Sequence, residues 1–539
     1  MSVPLAPCHL FGGFSPATPF PYSPCYPATF FKGRKAAAGK MSNPVFFDLM
    51  PLWSKKDSST EKRDMPVYHP DRPLYLLGDQ GQDWFTIRDA CQGIQVLGGT
   101  GSGKTSGTGF AFARAYLKAQ FGGLVLCAKP EERILWEKLA HQTGRTDDLI
   151  IVRPDAPWKF NFLDYEATRS GKGARLTVNI VHLLTEIVKS IDREERGEGE
   201  KPFWRNALRQ LVTAAVDLAL SARLPLRFDL LGDIVRSGPK SLKDVDDQAW
   251  QQRSVCYQCI HEADNIARDE DEEADFQQCR AYWLSDFATL ASETRSSIVL
   301  SFTMLTHLFT TRPLRRLLST ETTITPEATF DQKIIIIDMP LQDYFQAGRI
   351  AQFVWKYMWQ KAALRRHATD ETVPIFLWID ESQNFISDFD PEFQAVARSA
   401  KACTVYLTQN ISLYKKVLGT GSDDAVEAFL GNLQCKVFHQ NSSSETNTWA
   451  ADLFAKDLLP KETTGATAGD SVSGSRSVTH EEQYQLRPIE FTRLLTGGRV
   501  NKGMVQAFMY KGGTRFQSNQ GRNWIQLVFF QEGFEPPVR

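Results

Sequence analysis

A chain of 539 residues with 42% hydrophobic and 23% charged side chains has the composition of a large globular protein, long enough for two to four domains. Its 62 basic and 63 acidic residues leave a formal charge of -1, which excludes a polycation that coats nucleic acid with its whole surface; any such contact must be local, in a channel or pore. Nine scattered cysteines do not form the dense framework of a small secreted domain, and no uninterrupted apolar run reaches 18 residues, so the chain is expected to be cytoplasmic, at most peripheral at an inner membrane.

Met1 to Lys40 is rich in Pro, Phe, Gly and Ala and lacks the charged n-region of a signal peptide. With the charged patch Lys55 to Asp64 it makes residues 1–70 an N-terminal arm. Small strands are expected at Tyr75–Gly78 and Phe85–Ile87. Ile94–Leu97 then reads as a strand, followed by a glycine-rich turn, a helix from Thr105 to Gln120 and a buried strand at Gly122–Cys127, the opening of a parallel α/β sheet. From 177 to 298 the periodicity becomes helical, at Phe203–Leu220, Asp247–Arg268 and Ala274–Leu290, with charged loops expected at Asp192–Lys201 and Asp269–Glu273. Cys256 and Cys259 have no second pair or histidine cluster at metal-ligand spacing and are expected on a helix with buried thiols.

The sheet resumes at Lys333–Asp338, Val373–Asp380, Cys403–Thr408 and Cys435–His439, spaced widely enough for helical crossovers. The Gly/Ser/Thr-rich span Thr463–Ser477 predicts a mobile loop, Ile489–Leu495 a short helix, and Met504–Met509 and Trp524–Phe530 two late strands. The chain therefore divides into a nucleotide-binding α/β domain in two segments, 71–176 and 299–539, and an inserted mainly helical domain, 177–298.

Gly98-Gly99-Thr100-Gly101-Ser102-Gly103-Lys104-Thr105 satisfies the P-loop pattern, and its place between an apolar strand and a helix fits the phosphate cradle that pattern builds. Glycines let backbone N–H groups face the phosphates, Lys104 reaches the β and γ phosphates, and the Thr105 hydroxyl can ligate Mg2+. Ser102 and Ser106 read as local support. The second half of such a site is an acid at a strand end: Asp380 closes Ile375–Ile379 and can hold the Mg2+ shell, and Glu381 can polarise the attacking water. Asp338 also ends an apolar run, but Met339-Pro340 follow it and no second acid is adjacent. Gln409 follows Val405–Thr408, where a polar side chain can sense the γ phosphate. Arg398, with Lys401 as competitor, is the candidate cation for a neighbouring subunit's γ phosphate.

Together with Leu126-Cys127-Ala128-Lys129, Phe160-Asn161-Phe162-Leu163, the helix opening on Phe203-Trp204 and the Leu407-Thr408-Gln409 segment, these motifs resemble the conjugative coupling-protein family, the VirD4/TraG/TraD-type P-loop ATPases of type IV secretion, over roughly Gln92 to Gly512. The resemblance implies a RecA-like domain carrying an all-α insertion, a hexameric ring, and ATP-driven transfer of relaxase-bound single-stranded DNA to a secretion channel. By it Lys104 and Thr105 match the nucleotide-binding pair, Asp380 and Glu381 the Mg2+ and water-activating acids, Gln409 the sensor and Arg398 the arginine finger. The N-terminal membrane anchor of many members is not visible, which implies docking on a membrane-anchored partner or a different role. A double-stranded DNA translocase of the FtsK/HerA-like class would use the same core, and a nucleotide-gated protein-recruitment module is the alternative of a different kind. Cations at Arg312–Arg316 and Lys356–Arg366 are available for a strand in a pore or, equally, for ordinary solvated helix faces.

Overall fold

The computed structural model describes residues 65–77, 82–192, 202–419, 422–467 and 473–534. The arm at Met1–Lys40, the patch Lys55–Asp64 and nearly all of the charged loop Asp192–Lys201 lie outside them.

Thirteen strands are present among the described residues: β1 Pro73–Leu77, β2 Asp83–Thr86, β3 Ile94–Leu97, β4 Gly122–Leu126, β5 Leu149–Val152, β6 Ile334–Ile337, β7 Ile375–Ile379, β8 Ala402–Thr408, β9 Cys435–Phe438, β10 Lys456–Thr467, β11 Ser473–Tyr484, β12 Met504–Lys511 and β13 Trp524–Phe530. Nine of them form one sheet in the order β13-β12-β9-β3-β8-β7-β4-β6-β5. From β9 to β5 every pairing is parallel, while β12 runs antiparallel to both β9 and β13. The fold is thus α/β with a large parallel sheet, as expected.

Strands covered on both faces need no polar side, which is why Ile334–Ile337 is four isoleucines and Ile375–Ile379 is buried throughout. Alternation still sorts them. Ile335 and Ile337 join Leu377 and Ile379 in the core shared with the helical region, whereas Ile334 and Ile336 join Phe376, Trp378 and Trp136 on the other face, under the helix Phe110–Lys118. β5, a four-residue edge strand, is not anticipated from the sequence because so short an apolar run carries no periodicity.

The helix after the glycine-rich turn begins with a wide turn over Thr105–Gly109, in which the Gly109 N–H reaches back to the Lys104 carbonyl at 2.8 Å, and ends at Lys118, where Gln120 takes a left-handed φ of 62°. The next helix, Pro130–Thr143, has Pro at its start, Glu131 and Glu132 in its first turn and left-handed Gly144 as its stop.

Among the described residues, the regular elements between β5 and β6 are all helices. The expected Phe203–Leu220 is the helix Pro202–Ser221, but Asp247–Arg268 divides at Ser254, whose hydroxyl caps Val255–Asp264 by accepting from Tyr257 N at 3.1 Å. Cys256 and Cys259 are buried on that second helix. The acidic run Asp269–Glu273 is not a loop. Asp269 caps the helix Glu270–Ala281 by accepting from Glu272 N at 2.8 Å, and four acids occupy the first turn, where the positive end of the helix favours them. The helix Ser292–Thr310 runs through residue 298 and returns the chain towards the sheet.

A second correction falls at Thr463–Ser477. Its outer parts belong to a long antiparallel hairpin, β10 with β11, in which Lys456 pairs with Tyr484 and Thr467 with Ser473. Loop-like composition loses here to cross-strand hydrogen bonding, aided by the Lys461–Glu481 ion pair at 3.1 Å. The short helix Pro488–Thr492 and strands β12 and β13 lie where the sequence places them.

Candidate nucleotide site

In an open parallel sheet, ligands gather beyond the carboxyl ends of the strands, where successive connections diverge. β3 and β4 are separated here by β8 and β7, so the loops leaving β3, β4, β7 and β8 meet at one edge.

The loop after β3 is held from both sides. Gly98 N donates to the Thr408 carbonyl at 3.2 Å and Gly99 N to the Gln440 carbonyl at 2.8 Å. Gly103 adopts φ 85°, and a Cβ on it would lie 2.7 Å from Val505, so glycine is required there on both conformational and steric grounds. Gly101 is likewise left-handed, Thr100 is exposed, and Ser106 Oγ accepts from Gln531 Nε2 at 2.7 Å. Ser102 is buried, and its hydroxyl has no partner in the protein.

Lys104 is 7% exposed at the end of this loop. Next to it, Thr105 Oγ1 donates to Asp380 Oδ2 at 2.6 Å, joining residues 275 apart in the chain. A hydroxyl and a carboxylate oxygen placed side by side are hard oxygen donors of the kind Mg2+ takes, so the residues present fit that ion. Asp380 Oδ1 accepts the Glu381 N–H at 2.9 Å.

Glu381 sits at φ 48°, a left-handed conformation costly for a non-glycine residue, at the point where the chain leaves β7. Oε1 pairs with Lys129 Nζ at 2.5 Å, and Oε2 accepts from Gln383 Nε2 at 3.0 Å and, more distantly, from Gln409 Nε2 at 3.4 Å. Burial pushes this carboxyl up, but the hydrogen bonds from Gln383 and Lys129 and the charges of Lys104 and Lys129 outweigh it and hold the group below the usual carboxylate range. Gln383 is itself oriented by Thr408 Oγ1, which donates to its Oε1 at 2.7 Å.

Lys129 and Gln383 are the residues that sequence reasoning did not assign. Lys129 comes from the β4 turn, which Glu132 locks by accepting from Ala128 N at 2.7 Å. Burial, and then the charge of Asp380, push the Glu132 carboxyl well up. The available signal was topological: a lysine just past a buried strand must emerge at the same edge as the P-loop. His439, buried beyond β9, shares a 2.7 Å hydrogen bond with Thr108, and burial with the nearby Lys104 charge pushes its pKa down to about 3.

The structure does not gather every candidate. Arg398 lies in the turn before β8, exposed, while Gln409 follows the other end of that strand, about 20 Å away for seven residues at ~3.3 Å each. Lys401 is buried and donates to the Tyr68 carbonyl at 2.8 Å. Asp338 pairs with Arg133 at 3.1 Å. Lys356 is fully buried in an ion pair with Asp390, which removes it from the cations available to a strand, whereas Arg312, Arg315 and Arg316 are exposed.

The fold and this edge define a P-loop nucleotide-binding protein of the α/β class. The chain belongs to the family of type IV secretory system conjugative DNA transfer proteins, which it matches over residues 53–496, and its role is that of a DNA-transfer motor. It also resembles solved structures of the plasmid coupling protein TrwB. The unbound form of TrwBdeltaN70 aligns at 14% identity over 86% of this chain and 92% of that one, with a TM-score of 0.54. The complex with the ATP analogue ADPNP aligns at 15% over 84% and 89%, TM-score 0.52, and the complex with ADP and Mg2+ at 14% over 84% and 88%, TM-score 0.53. At such identities the likeness is one of fold. A comparison with curated protein sequences finds no match. Among the described residues no helix is long and apolar enough to cross a membrane.

Proposed function

We propose that this chain is an ATPase that uses ATP and Mg2+ to drive transfer of relaxase-bound single-stranded DNA into a type IV secretion or conjugation channel. The observation that carries the reading is the pair of contacts Thr105–Asp380 at 2.6 Å and Lys129–Glu381 at 2.5 Å, which unite the phosphate loop with two acids of different character. One acid faces a hydroxyl, as a metal ligand would. The other, equally buried, is held by an ammonium and two side-chain amides, which keep it ionised.

The loop Gly98–Ser106 and Lys104 bind the phosphates, and Thr105 with Asp380 would hold Mg2+, which supplies charge neutralisation at the transferring phosphoryl group. Glu381 orients the attacking water and accepts its proton. Lys129 and the two glutamines fix the carboxylate's direction, so little reorganisation accompanies the reaction. Gln409 reports phosphate loss to the connection after β8. Arg398, too far to act within its own chain, serves the site of a neighbouring copy in a homohexameric ring docked on a membrane-anchored secretion partner.

Replacing Glu381 by Gln keeps the shape and removes the base. Steady-state turnover should fall ~10²–10⁴-fold with nucleotide binding retained; unchanged turnover would end the motor assignment. Stimulation by single-stranded rather than double-stranded DNA is expected, and a strict double-strand preference would favour a duplex translocase.

A further inference from the structure

At the far end of the long helix Leu341–Arg365, a cavity of about 190 Å³ lies between that helix and the connection that joins Phe162–Thr168 to Thr177–Asp192. The helix leaves β6 at the nucleotide edge and ends where the chain turns back towards the start of β7, so the cavity belongs to the opposite edge of the sheet.

The cavity lining is unusually rich in donors. Arg169, Lys172, Lys361 and Arg365 line it together with the carboxylate of Glu166. That carboxylate works as a strut: it pairs with Arg169 at 2.6 Å and with Arg365 at 3.7 Å, and Glu327 stands 3.9 Å from Arg365, so the four cations still outnumber the two acids paired with them. Lys361 is held with its ammonium 5.8 Å from the Tyr357 ring centre and 5.3 Å from that of Phe389, which leaves its charge available to a ligand.

Two buried donors on this wall have no acceptor. Tyr357 is 1% exposed and its hydroxyl has no hydrogen-bond partner; Arg169 Nε is also buried and unpartnered. Burial, followed by the charges of Glu186 and Glu166, pushes the Tyr357 phenol up, so it is a donor at every physiological pH. A buried donor left without an acceptor costs about 1–3 kcal/mol, and two such groups in one cationic cavity call for a ligand that brings oxygens and negative charge.

We propose that this cavity binds a phosphate group, taken either from the sugar–phosphate backbone of the transferred strand or from a free phosphate compound. A phosphate brings acceptor oxygens to the arginines and to the Tyr357 hydroxyl together, and the exposed Lys172 and half-buried Lys361 screen its charge at the mouth. The site is separate from the nucleotide edge, so the proposal does not require that the chain hydrolyse ATP.

The test uses the full chain with Lys172→Gln, Lys361→Gln and the near-isosteric Tyr357→Phe. Binding of a labelled oligo-dT single strand is followed by anisotropy across salt concentrations, and binding of radiolabelled inorganic phosphate by equilibrium dialysis. Phosphate held at the P-loop is common to all variants and cancels from the comparison. Each lysine variant should weaken oligonucleotide binding about 3–10-fold and lower the salt slope by about 1, and Tyr357→Phe should weaken it with the slope unchanged. Weaker oligonucleotide binding assigns the site to the strand. Weaker phosphate binding with oligonucleotide affinity intact assigns it to a free phosphate compound. If neither changes in any of the three variants, the proposal is overturned. Basal ATP turnover should be unaffected throughout, which keeps this outcome separate from a failure of the nucleotide site.

Discussion

The acids of two lysine–carboxylate pairs, Glu381 and Asp390, stand nine residues apart on the segment that follows β7, and the pairs are built to opposite purposes. Lys129 reaches Glu381 from a side chain that is 44% exposed, and the acid's remaining contacts come from the amide groups of two glutamines. Lys356 and Asp390 are both 0% exposed. Asp390 accepts from Lys356, Ser387 N at 2.6 Å, Ser387 Oγ at 2.9 Å, Gln360 at 2.9 Å and Tyr406 at 3.1 Å, while Lys356 also donates to the Phe385 carbonyl at 2.6 Å. The first pair can be rearranged by a ligand. The second has nothing left to exchange and anchors the segment that carries Glu381. A buried ion pair is evidence of function only when one side of it is open.

The comparison breaks most visibly at the anchor. Lys356→Met leaves Asp390 charged and buried, and urea denaturation should show a loss of about 3–5 kcal/mol, partly recovered by adding Asp390→Asn. A loss under about 1 kcal/mol would mean that the pair is not the anchor described. At the open pair the response should move from stability to rate. Lys129→Met is expected to cut turnover ~10–100-fold through loss of a hydrogen bond to a charged group, while stability changes by no more than about 1 kcal/mol. Equal effects on both would make Lys129 structural.

A third outcome sharpens the contrast through pH. The Glu381 carboxyl lies below the usual range because hydrogen bonds and positive charge outweigh burial. A group depressed in the folded state adds stability that is complete above its unfolded value and is lost as pH falls through the folded one. Turnover should therefore persist below the usual carboxylate range, and Lys129→Met should move the acidic limb of the rate profile upward. A limb that stays in place would separate Lys129 from the base. The smallest effect is expected from Gln409→Leu. Its contact is 3.4 Å long and Gln383 remains, so basal turnover should drop only ~2–5-fold, with a larger loss in the DNA-stimulated rate if the residue reports phosphate state. A greater basal loss than that of Gln383→Leu would reverse the order of the two glutamines.

Local chemistry made much of this legible in the sequence. Gly98–Thr105 and Asp380-Glu381 are contiguous, and strands buried on both faces declare themselves as apolar runs, so the parallel sheet and the two halves of the site follow from chain order and residue type. Partnership between distant segments does not. Lys129 and Glu381 are 252 residues apart, and only the strand order that sets β4 beside β7 brings them together. The same holds for the burial of Lys356, the pairing of Asp338 with Arg133 and the separation of Arg398 from Gln409 by the length of β8. Composition also misled at Thr463–Ser477, because the backbone hydrogen bonds of a hairpin form across strands and leave no mark in a single segment. The sequence by itself determined the class of protein and its phosphate loop. Which charges are sealed, which remain open, and which edge of the sheet each faces was decided by tertiary structure, since burial and Coulomb interaction depend on neighbours in space.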